Sequence, residues 1–560
     1  MRIWKTVFLL LLYFFISCSS SDRYDIIIRG GIVVDGTGSP PDTTDVGIRW
    51  DKIKAIGDLS TASANTIINA EGMYVAPGFI DIHSRAMYDV LADGRAISKL
   101  QQGITTVIMG EDESPGPVFG NAIPYTKRKL SAYGLTLQWS TLGDFLDALS
   151  DNGVSINVGS FVSYWQVRGS VVEFSRKNPK GEQAPLISFN LIKAMQEGAL
   201  GISVGFTGIA EQYLGTGKVN VCCYFVHKWG GILAIRVRYE DERAPIWVQS
   251  IADYSKIEVA PLEFISLPVE ILELKLIGKD NQNQTQEFLN EIDLFRSEGY
   301  DLAANIIPFP VYIGVLSDII PLKYKQDGRN KLATFLQDKR MLPEIEKAIL
   351  NESGSRDSLR EYWSRIRIIE VFNDSNRKYV GKTLHDISGS SPNPLDTIVE
   401  IMFSEPFDIP VQIETLDEAF IREVLKKPWV KLCTGAPTIY DIDADDKREY
   451  SILYYSAFPG ALAKYVRDDP VLTIQEMIKK MTSMSADRLN IHERGRIMKG
   501  QRADIVVFDL DAITPVTSTM VSSEFDTGVR YVLVNGALVF DNGRHTGKFP
   551  GEILYGAGKR

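Results

Sequence analysis

A histidine and an arginine stand two residues apart at what the sequence predicts to be the end of a strand. The run Pro77-Gly78-Phe79-Ile80-Asp81-Ile82 leads into His83 and Arg85. Side chains two apart on a strand project the same way, so both would face one space. Histidine is scarce, with 5 in 560 residues, and imidazole can bind a metal or transfer protons near neutral pH. A lone His held by its neighbours is the other interpretation of His83.

Apolar segments that end in small or polar residues recur along the chain and predict the scaffold. There are eight such segments, at 78–83, 104–109, 154–161, 201–206, 232–238, 269–275, 302–308 and 429–434. Helical patterns separate most of them, and eight strands close a parallel α/β barrel. In such a barrel the reacting groups stand at the C-terminal strand ends, which is where His83 and Arg85 lie.

Short β-branched runs near both termini predict a second unit. Residues 25–76 and 500–560 have the pattern of one composite β-sandwich, with an Asn535-Gly536 hairpin turn in the second segment. The barrel then spans 77–499, with a charged and helical insertion at 309–428 that includes helices over 331–350 and 359–367. Thr473 and Glu476 form a capping box ahead of one late amphipathic helix.

Composition excludes several classes of protein. Hydrophobic residues at 44% and charged residues at 24% are typical of a globular protein and exclude a disordered or polytopic membrane chain. The net charge of -10 makes a nucleic-acid partner improbable. The 4 cysteines have no spacing that predicts a disulfide framework or a CxxC metal site.

The N-terminus has the pattern of an export signal. An apolar run from Val7 to Ile16 follows a basic start and is shorter than the roughly 20 residues that a spanning helix needs. Residues 1–18 are therefore expected to be a signal peptide, followed by a tether at 19–24. Phe15-Ile16-Ser17-Cys18 resembles a bacterial lipobox, which predicts a lipid anchor on Cys18 and a secreted, membrane-anchored lipoprotein facing the periplasm or the cell surface. An ordinary signal peptide with an incidental Cys is the alternative.

Several motifs together resemble the N-acyl-D-amino-acid deacylase (D-aminoacylase) family of the amidohydrolase superfamily. The first strand resembles the superfamily pattern G-F-I-D-x-H-x-H, and the similarity covers nearly all of the mature chain. Other matching segments are 28–38, 102–112, 230–238, 267–275, 494–506 and 534–547. The resemblance implies an α/β fold, an amidohydrolase-type (β/α)8 TIM barrel with a β-sandwich. It also implies hydrolysis of N-acyl-D-amino acids, in which one or two zinc ions activate water and an Asp on the last strand moves the proton.

Carried over position by position, the resemblance implies a metal site with most of its ligands replaced. Arg85 stands where the second His of H-x-H is expected, and Arg236 and Glu273 stand where two further His ligands are expected. Asp112 occupies the position of the metal-bridging group. Cys433-Thr434-Gly435 replaces S-D-G, so that Thr434 stands at the proton-shuttle position. Lys275 matches a Lys that contacts substrate. The chain is expected to hold one zinc ion, on His83, Asp112 and Glu273, or none.

The replacements suggest a hypothesis about charge. Arg85, Arg236, Asp112 and Glu273 would form a buried network that substitutes for the metal centre, and it requires an Arg nitrogen within about 4 Å of a carboxylate. The alternative is that these charges face water separately.

Two functions remain open at the level of sequence. One is a deacylase with reduced or lost activity; the other is a non-catalytic protein that binds an acidic ligand or a partner through Arg85, Arg236 and Lys275. Either function implies a small-molecule ligand such as an N-acyl amino acid, with membrane contact only through Cys18. A reaction that uses Cys433 as its nucleophile is disfavoured, because no His is placed to activate the thiol.

Overall fold

The computed structural model describes most of the chain between Arg23 and Lys559. Outside the description lie residues 1–22, 112, 175–178, 206–223, 225, 237–255, 261–262, 276–283, 326–328, 353–358, 390–393, 406–407, 415–416, 440–448, 523–524 and 560. The predictions for the signal segment, Cys18 and Asp112 therefore concern residues outside the described part.

Eight parallel strands form the central barrel, as predicted from the apolar segments. They are Phe79–Asp81, Ile104–Met109, Asn157–Ser160 continued by Val162–Ser163, Gly201–Gly205, Ile232–Arg236, Val269–Ile271, Leu302–Ile306 and Val430–Leu432. Each strand pairs in parallel with the next. Backbone bonds from Gly435 N to His83 O (3.1 Å) and from Arg85 N to Ala436 O (3.3 Å) join the end of the eighth strand to the first. Every residue of these strands is buried, as expected for parallel strands covered on both faces.

Helices cover the outside of the barrel. They are Tyr88–Ala92, Ile97–Leu100, Ala122–Ala132, Leu142–Asn152, Tyr164–Val172, Gln183–Gln196, Thr285–Ser297, Glu418–Leu425, Ile452–Tyr455, Ala457–Leu462, Ile474–Met481 and Ser483–Arg488, with a π-helical turn at Ala463–Asp468. The predicted capping box is present, because the Thr473 side chain accepts from Glu476 N and the Glu476 carboxylate accepts from Thr473 N. Met477, Ile478 and Met481 are buried on the inner face of that helix.

Segments from both ends of the chain meet in one nine-stranded sheet. Its strands are Arg23–Val33, Asp42–Arg49, Lys52–Gly57, Ser63–Asn69, Tyr74–Pro77, Ile505–Phe508, Val529–Val534, Ala537–Asp541 and Arg544–His545. The last N-terminal strand pairs antiparallel with Ile505–Phe508, which joins the two segments. The predicted hairpin turn has Asn535 at φ 47 and Gly536 at φ 77. A Cβ atom on Gly536 would lie 1.8 Å from the Trp50 carbonyl oxygen, so only glycine fits there.

Two predicted boundaries differ from the structure. The first strand begins at Arg23, so the last two residues of the expected tether, Arg23 and Tyr24, belong to the sheet, where Tyr24 is buried. At the other end, Ile553–Leu554 leaves the sheet and pairs with Asn157–Ser160 of the barrel. The C-terminal tail therefore ties the sheet to the barrel.

The insertion carries its own small sheet and its own core. Val311–Val315, Pro410–Glu414 and Ile366–Ile368 form three antiparallel strands. Around them lie the helices Leu322–Lys325, Arg329–Gln337, Leu342–Glu352, Leu359–Ser364, Leu384–Ser388 and Pro394–Ser404 and the 3-10 turns Leu316–Ile319 and Asp374–Tyr379. The helix predicted over 359–367 ends at Ser364, because Ile366 and Ile368 pair with the Pro410–Glu414 strand. The helix predicted over 331–350 is two helices.

Two short antiparallel pairs complete the described strands, Lys256–Ala260 with Glu263–Ser266 and Glu449–Ser451 with Met520–Ser522. Within the described residues, no helix combines the length and the apolar character needed to cross a membrane.

Candidate functional site

The C-terminal ends of four barrel strands bring a group of charged side chains together. His83 follows the first strand by two residues and Glu111 follows the second by two. Arg236 is the last residue of the fifth strand, and Glu273 follows the sixth by two. This is the face of the barrel where functional groups of such folds are placed.

His83 and Glu111 form the centre of the group. His83 Nε2 contacts Glu111 Oε2, and both side chains are buried. Burial alone lowers the pKa of His83, but the charge and hydrogen bond of Glu111 outweigh burial, so the pKa of His83 is raised. Burial alone raises the pKa of Glu111, but His83 and Arg236 hold it below its ordinary value. Each group therefore favours the charged form of the other.

Arg236 lies between the two acidic side chains. Its Nη2 is 3.1 Å from Glu273 Oε2 and its Nη1 is 3.6 Å from Glu111 Oε1. Arg85 is further away, with its Nε 3.8 Å from Glu111 Oε2 and its Nη2 3.8 Å from Glu273 Oε2. Both arginines thus lie within 4 Å of Glu273, as the charge hypothesis requires. Asp112, its other predicted carboxylate, lies outside the described residues, and the second described carboxylate is that of Glu111.

Lys275 is the third cation of the group. Its Nζ is 3.3 Å from Glu273 Oε2 and 4.2 Å from the centre of the Tyr312 ring, which belongs to the insertion. Burial alone raises the pKa of Glu273, but Lys275, Arg236 and Arg85 outweigh it, and the pKa of Glu273 is lowered. The carboxylate therefore stays ionised although it is buried.

Glu273 is held in place by its backbone. Its φ of 55 lies in the left-handed region, which non-glycine residues seldom adopt, and its N–H donates to Asn305 Oδ1 at 2.9 Å. Asn305 in turn donates to Glu270 Oε1 at 2.9 Å inside the barrel. The seventh strand thus orients the residue that carries three ion pairs.

Thr434 lies beside the network as part of a second buried cluster. Its Oγ1 donates to Asp81 Oδ2 at 2.5 Å, and its N–H donates to Asp81 Oδ1 at 3.0 Å. Lys99 Nζ contacts Asp81 Oδ2 at 3.0 Å, Thr434 Oγ1 at 2.8 Å and the Ala436 carbonyl at 2.9 Å. The Thr434 hydroxyl is thus engaged by a carboxylate and an ammonium group, which oppose its use in proton transfer.

Two residues of this region were not predicted. Glu111 precedes Asp112 in the run Glu111-Asp112-Glu113, and the carboxylate in the pocket is that of Glu111. The prediction for Asp112 lies outside the described residues. Lys99 lies on the short helix Ile97–Leu100 and is fully buried. The sequence feature that could have indicated a buried Lys99 is its position as a single charged residue in the uncharged run just before the second strand.

Cys433 is buried and has no disulfide partner among the residues that the structure describes. Burial raises the pKa of its thiol, and the nearby carboxylates, among them Asp81 and Glu273, raise it further. A thiol with a raised pKa is a poor nucleophile, so this geometry disfavours covalent chemistry at Cys433.

The described side chains do not fit a zinc ion. Zinc binds oxygen donors at roughly 2.0–2.2 Å and requires lone pairs directed at the metal. Here the carboxylates of Glu111 and Glu273 face Arg85, Arg236 and Lys275 within 4 Å. Among the residues that the structure describes, no group of three His, Cys, Asp or Glu side chains is placed to hold a metal ion. Cations occupy the surroundings that a zinc ion would need.

Comparison with known proteins agrees with this architecture. The amidohydrolase family model matches residues 432–540. The chain is 26% identical to the D-aminoacylase of Alcaligenes xylosoxydans xylosoxydans over 542 residues, which cover 96% of this chain and 99% of the relative. It is also 26% identical to the N-acyl-D-glutamate deacylase of the same organism over 548 residues, 95% of this chain and 97% of that one.

Solved structures agree on the fold. The N-acyl-D-glutamate deacylase of Bordetella bronchiseptica, solved with zinc and a phosphonate inhibitor, superimposes with a TM-score of 0.75 at 22% identity, covering 95% of this chain and 100% of that one. A D-aminoacylase structure gives a TM-score of 0.73 over the same shares. The barrel and its joined terminal sheet thus have the fold of these deacylase structures.

The sequence is similar to D-aminoacylases and related N-acyl-D-amino-acid deacylases along almost its whole length, at 24–26% identity over 95–96% of the chain.

Proposed function

We propose that the protein binds a small anionic ligand of the N-acyl amino acid type in the barrel pocket, with deacylase activity reduced or lost. The observation that carries this proposal is the position of Arg236, 3.1 Å from Glu273 and 3.6 Å from Glu111. A guanidinium group between the two buried carboxylates supplies the positive charge that a metal ion would otherwise bring. It offers no site where water can be activated.

The charge of the pocket supports an acidic ligand. Three cations, Arg85, Arg236 and Lys275, surround two carboxylates, Glu111 and Glu273. The described group therefore has one positive charge in excess, and more when His83 is protonated. A ligand carboxylate would compensate that excess, and Arg side chains bind carboxylates through two parallel hydrogen bonds.

The surroundings of Thr434 oppose the hydrolytic step. The deacylase reaction needs a group that takes a proton from water and delivers it to the leaving amine. A Thr hydroxyl cannot do so at neutral pH, and Oγ1 of Thr434 is already bonded to Asp81. Catalysis at this position would be slow even with substrate bound.

A residual hydrolase is the second candidate. The full-length similarity to the D-aminoacylase and the N-acyl-D-glutamate deacylase favours it. It requires one zinc ion on His83, Asp112 and Glu273, and it requires Glu273 to give up its ion pairs.

Zinc analysis and ligand binding together test the proposal. We expect purified protein to contain well below one zinc per chain by elemental mass spectrometry and to leave N-acetyl-D-glutamate and N-acetyl-D-aspartate intact. Titration calorimetry should show binding of N-acetyl-D-glutamate that weakens as salt rises. Arg340→Met removes an arginine whose side chain is 89% exposed and lies in the insertion, so this control variant should bind the ligand as the unaltered protein does. Stoichiometric zinc together with turnover would establish the residual hydrolase instead.

We also propose export and lipid attachment at Cys18, supported by the apolar run ahead of it and the small residues around it. Expression in a bacterial host with labelled palmitate should label the protein in the membrane fraction. A Cys18→Ser variant should lose the label, and equal labelling of that variant would refute the anchor.

A further inference from the structure

We infer that the two arginines have separate roles: Arg236 is a fixed internal cation that compensates the charges of the two buried carboxylates, and Arg85 binds the carboxylate of an incoming ligand. The role of Arg85 rests on the proposed function. The role of Arg236 rests on geometry alone.

Arg236 has the placement of a structural cation. It ends the fifth strand, and its backbone pairs with Gly205 of the fourth strand, so its Cα position is set by the barrel. Its guanidinium reaches both carboxylates, and its side chain is only 9% exposed. Two buried carboxylates with no cation between them would repel each other and lose their hydration, which strongly destabilises a fold.

Arg85 is placed differently. It lies in the loop after the first strand, and its side chain is 23% exposed. Both of its approaches to carboxylates are 3.8 Å long. Its Nε and Nη2 atoms are buried and make no hydrogen bond within the described part of the chain. A partly exposed guanidinium that is charged and not fully hydrogen-bonded is suited to bind a carboxylate that arrives from solution.

The acceptors beside it show the same incomplete pairing. Oε1 of Glu111 and both oxygens of Glu273 are buried without an aligned hydrogen bond among the described residues. The ion pairs thus compensate the charges but leave the Nε and Nη2 donors of Arg85 without a hydrogen bond in the part of the chain that the structure describes. A ligand carboxylate would form hydrogen bonds with Arg85 without displacing Arg236.

The experiment compares substitutions at the two positions by thermal unfolding and by calorimetry. Arg85→Met and Arg236→Met each remove one guanidinium and keep a long apolar side chain. We expect Arg236→Met to lower Tm by at least about 2 °C and Arg85→Met to change it by less than half as much. Arg85→Met should weaken binding of N-acetyl-D-glutamate about 10- to 100-fold. It should leave the weak binding of N-acetyl-D-alaninamide, which has no carboxylate, unchanged.

Two further variants keep the test decisive if Arg236→Met does not fold. Arg236→Lys retains the charge and should recover most of the Tm. Arg236→Met with Glu273→Gln removes a cation and an anion together and should be more stable than Arg236→Met alone. Equal loss of Tm at both positions, or loss of carboxylate binding only at Arg236, would overturn the assignment. If the unaltered protein binds no N-acetyl-D-glutamate, the proposed function and the ligand role of Arg85 both fail, while the Tm comparison still decides the role of Arg236.

Discussion

Replacement of Lys99 by Met should destabilise the protein more than any exposed charge substitution. The Lys99 ammonium is fully buried between the first and eighth strands, where it contacts Asp81, Thr434 and the Ala436 carbonyl. Met has nearly the same length and fills the same space, so the variant removes the charge and leaves the packing. The Asp81 carboxylate, itself fully buried, is then left without its cation.

The expected loss is about 3 kcal/mol, at the lower end of the roughly 3–5 kcal/mol for breaking a buried ion pair. The lower end applies because Asp81 keeps two other bonds, from Thr434 N at 3.0 Å and Thr434 Oγ1 at 2.5 Å. Removing the anion as well, in Lys99→Met with Asp81→Asn, should recover part of the loss, because no buried charge then remains.

Urea unfolding followed by circular dichroism measures the effect. Lys426→Met is the matched control: its side chain is 54% exposed, and it pairs with Glu423 at 2.6 Å. That substitution should cost less than about 0.5 kcal/mol. A loss below about 1 kcal/mol for Lys99→Met, or a double variant less stable than the single one, would refute the reasoning that Lys99 stabilises the buried Asp81 carboxylate.

Three further predictions concern protons and metal. Because the pKa of Glu273 is lowered in the fold, its stabilising contribution is present above the ordinary Glu pKa and is lost as pH falls; the drop in Tm between about pH 5 and 3 should be smaller in Glu273→Gln than in the unaltered protein. Burial, helped by the nearby Lys431, lowers the pKa of Lys480 to about 8, so the unfolded chain binds more protons between that value and the ordinary Lys pKa. The free energy of unfolding should therefore rise with pH across this window. In urea titrations at pH 8 and 10, a Lys480→Met variant should lack that increase; the same difference in free energy between the two proteins at both pH values would contradict the prediction. Arg85→His combined with Arg236→His should bind zinc measurably by calorimetry where the unaltered protein does not, and zinc binding of equal strength in both would show that the arginines do not exclude the metal.

The barrel could be predicted because its strands are buried on both faces. Ile104–Met109, for example, is a run of β-branched residues and a Met with glycine on either side, which is a typical pattern of a buried strand. The insertion strands could not be predicted. Ile366–Ile368 is three residues long and pairs with a segment more than 40 residues away, so no turn signal lies beside it.

The charged group was predicted partly from strand register and partly from the family resemblance. Register placed Arg85 beside His83, and the resemblance placed Arg236, Glu273 and Lys275. The structure brings the three cations within 4 Å of Glu273. Beyond the second strand, Glu111 lies in a loop whose path the alternation of a strand no longer sets. Its contact with His83 is a tertiary contact that the sequence does not predict.

The charges around Glu111 and Glu273 predict that one substitution alone does not create a metal site. A carboxylate that faces guanidinium groups at 3.1–3.8 Å has its charge compensated by donors, whereas a metal requires the same oxygens as bare lone pairs at roughly 2 Å. Changing only Arg85 leaves Arg236 between Glu111 and Glu273, where it repels a divalent ion. Changing only Arg236 leaves two buried carboxylates short of positive charge in a protein that has no ion yet bound. We therefore expect that both arginines must change together before Glu111 and Glu273 can share a metal ion.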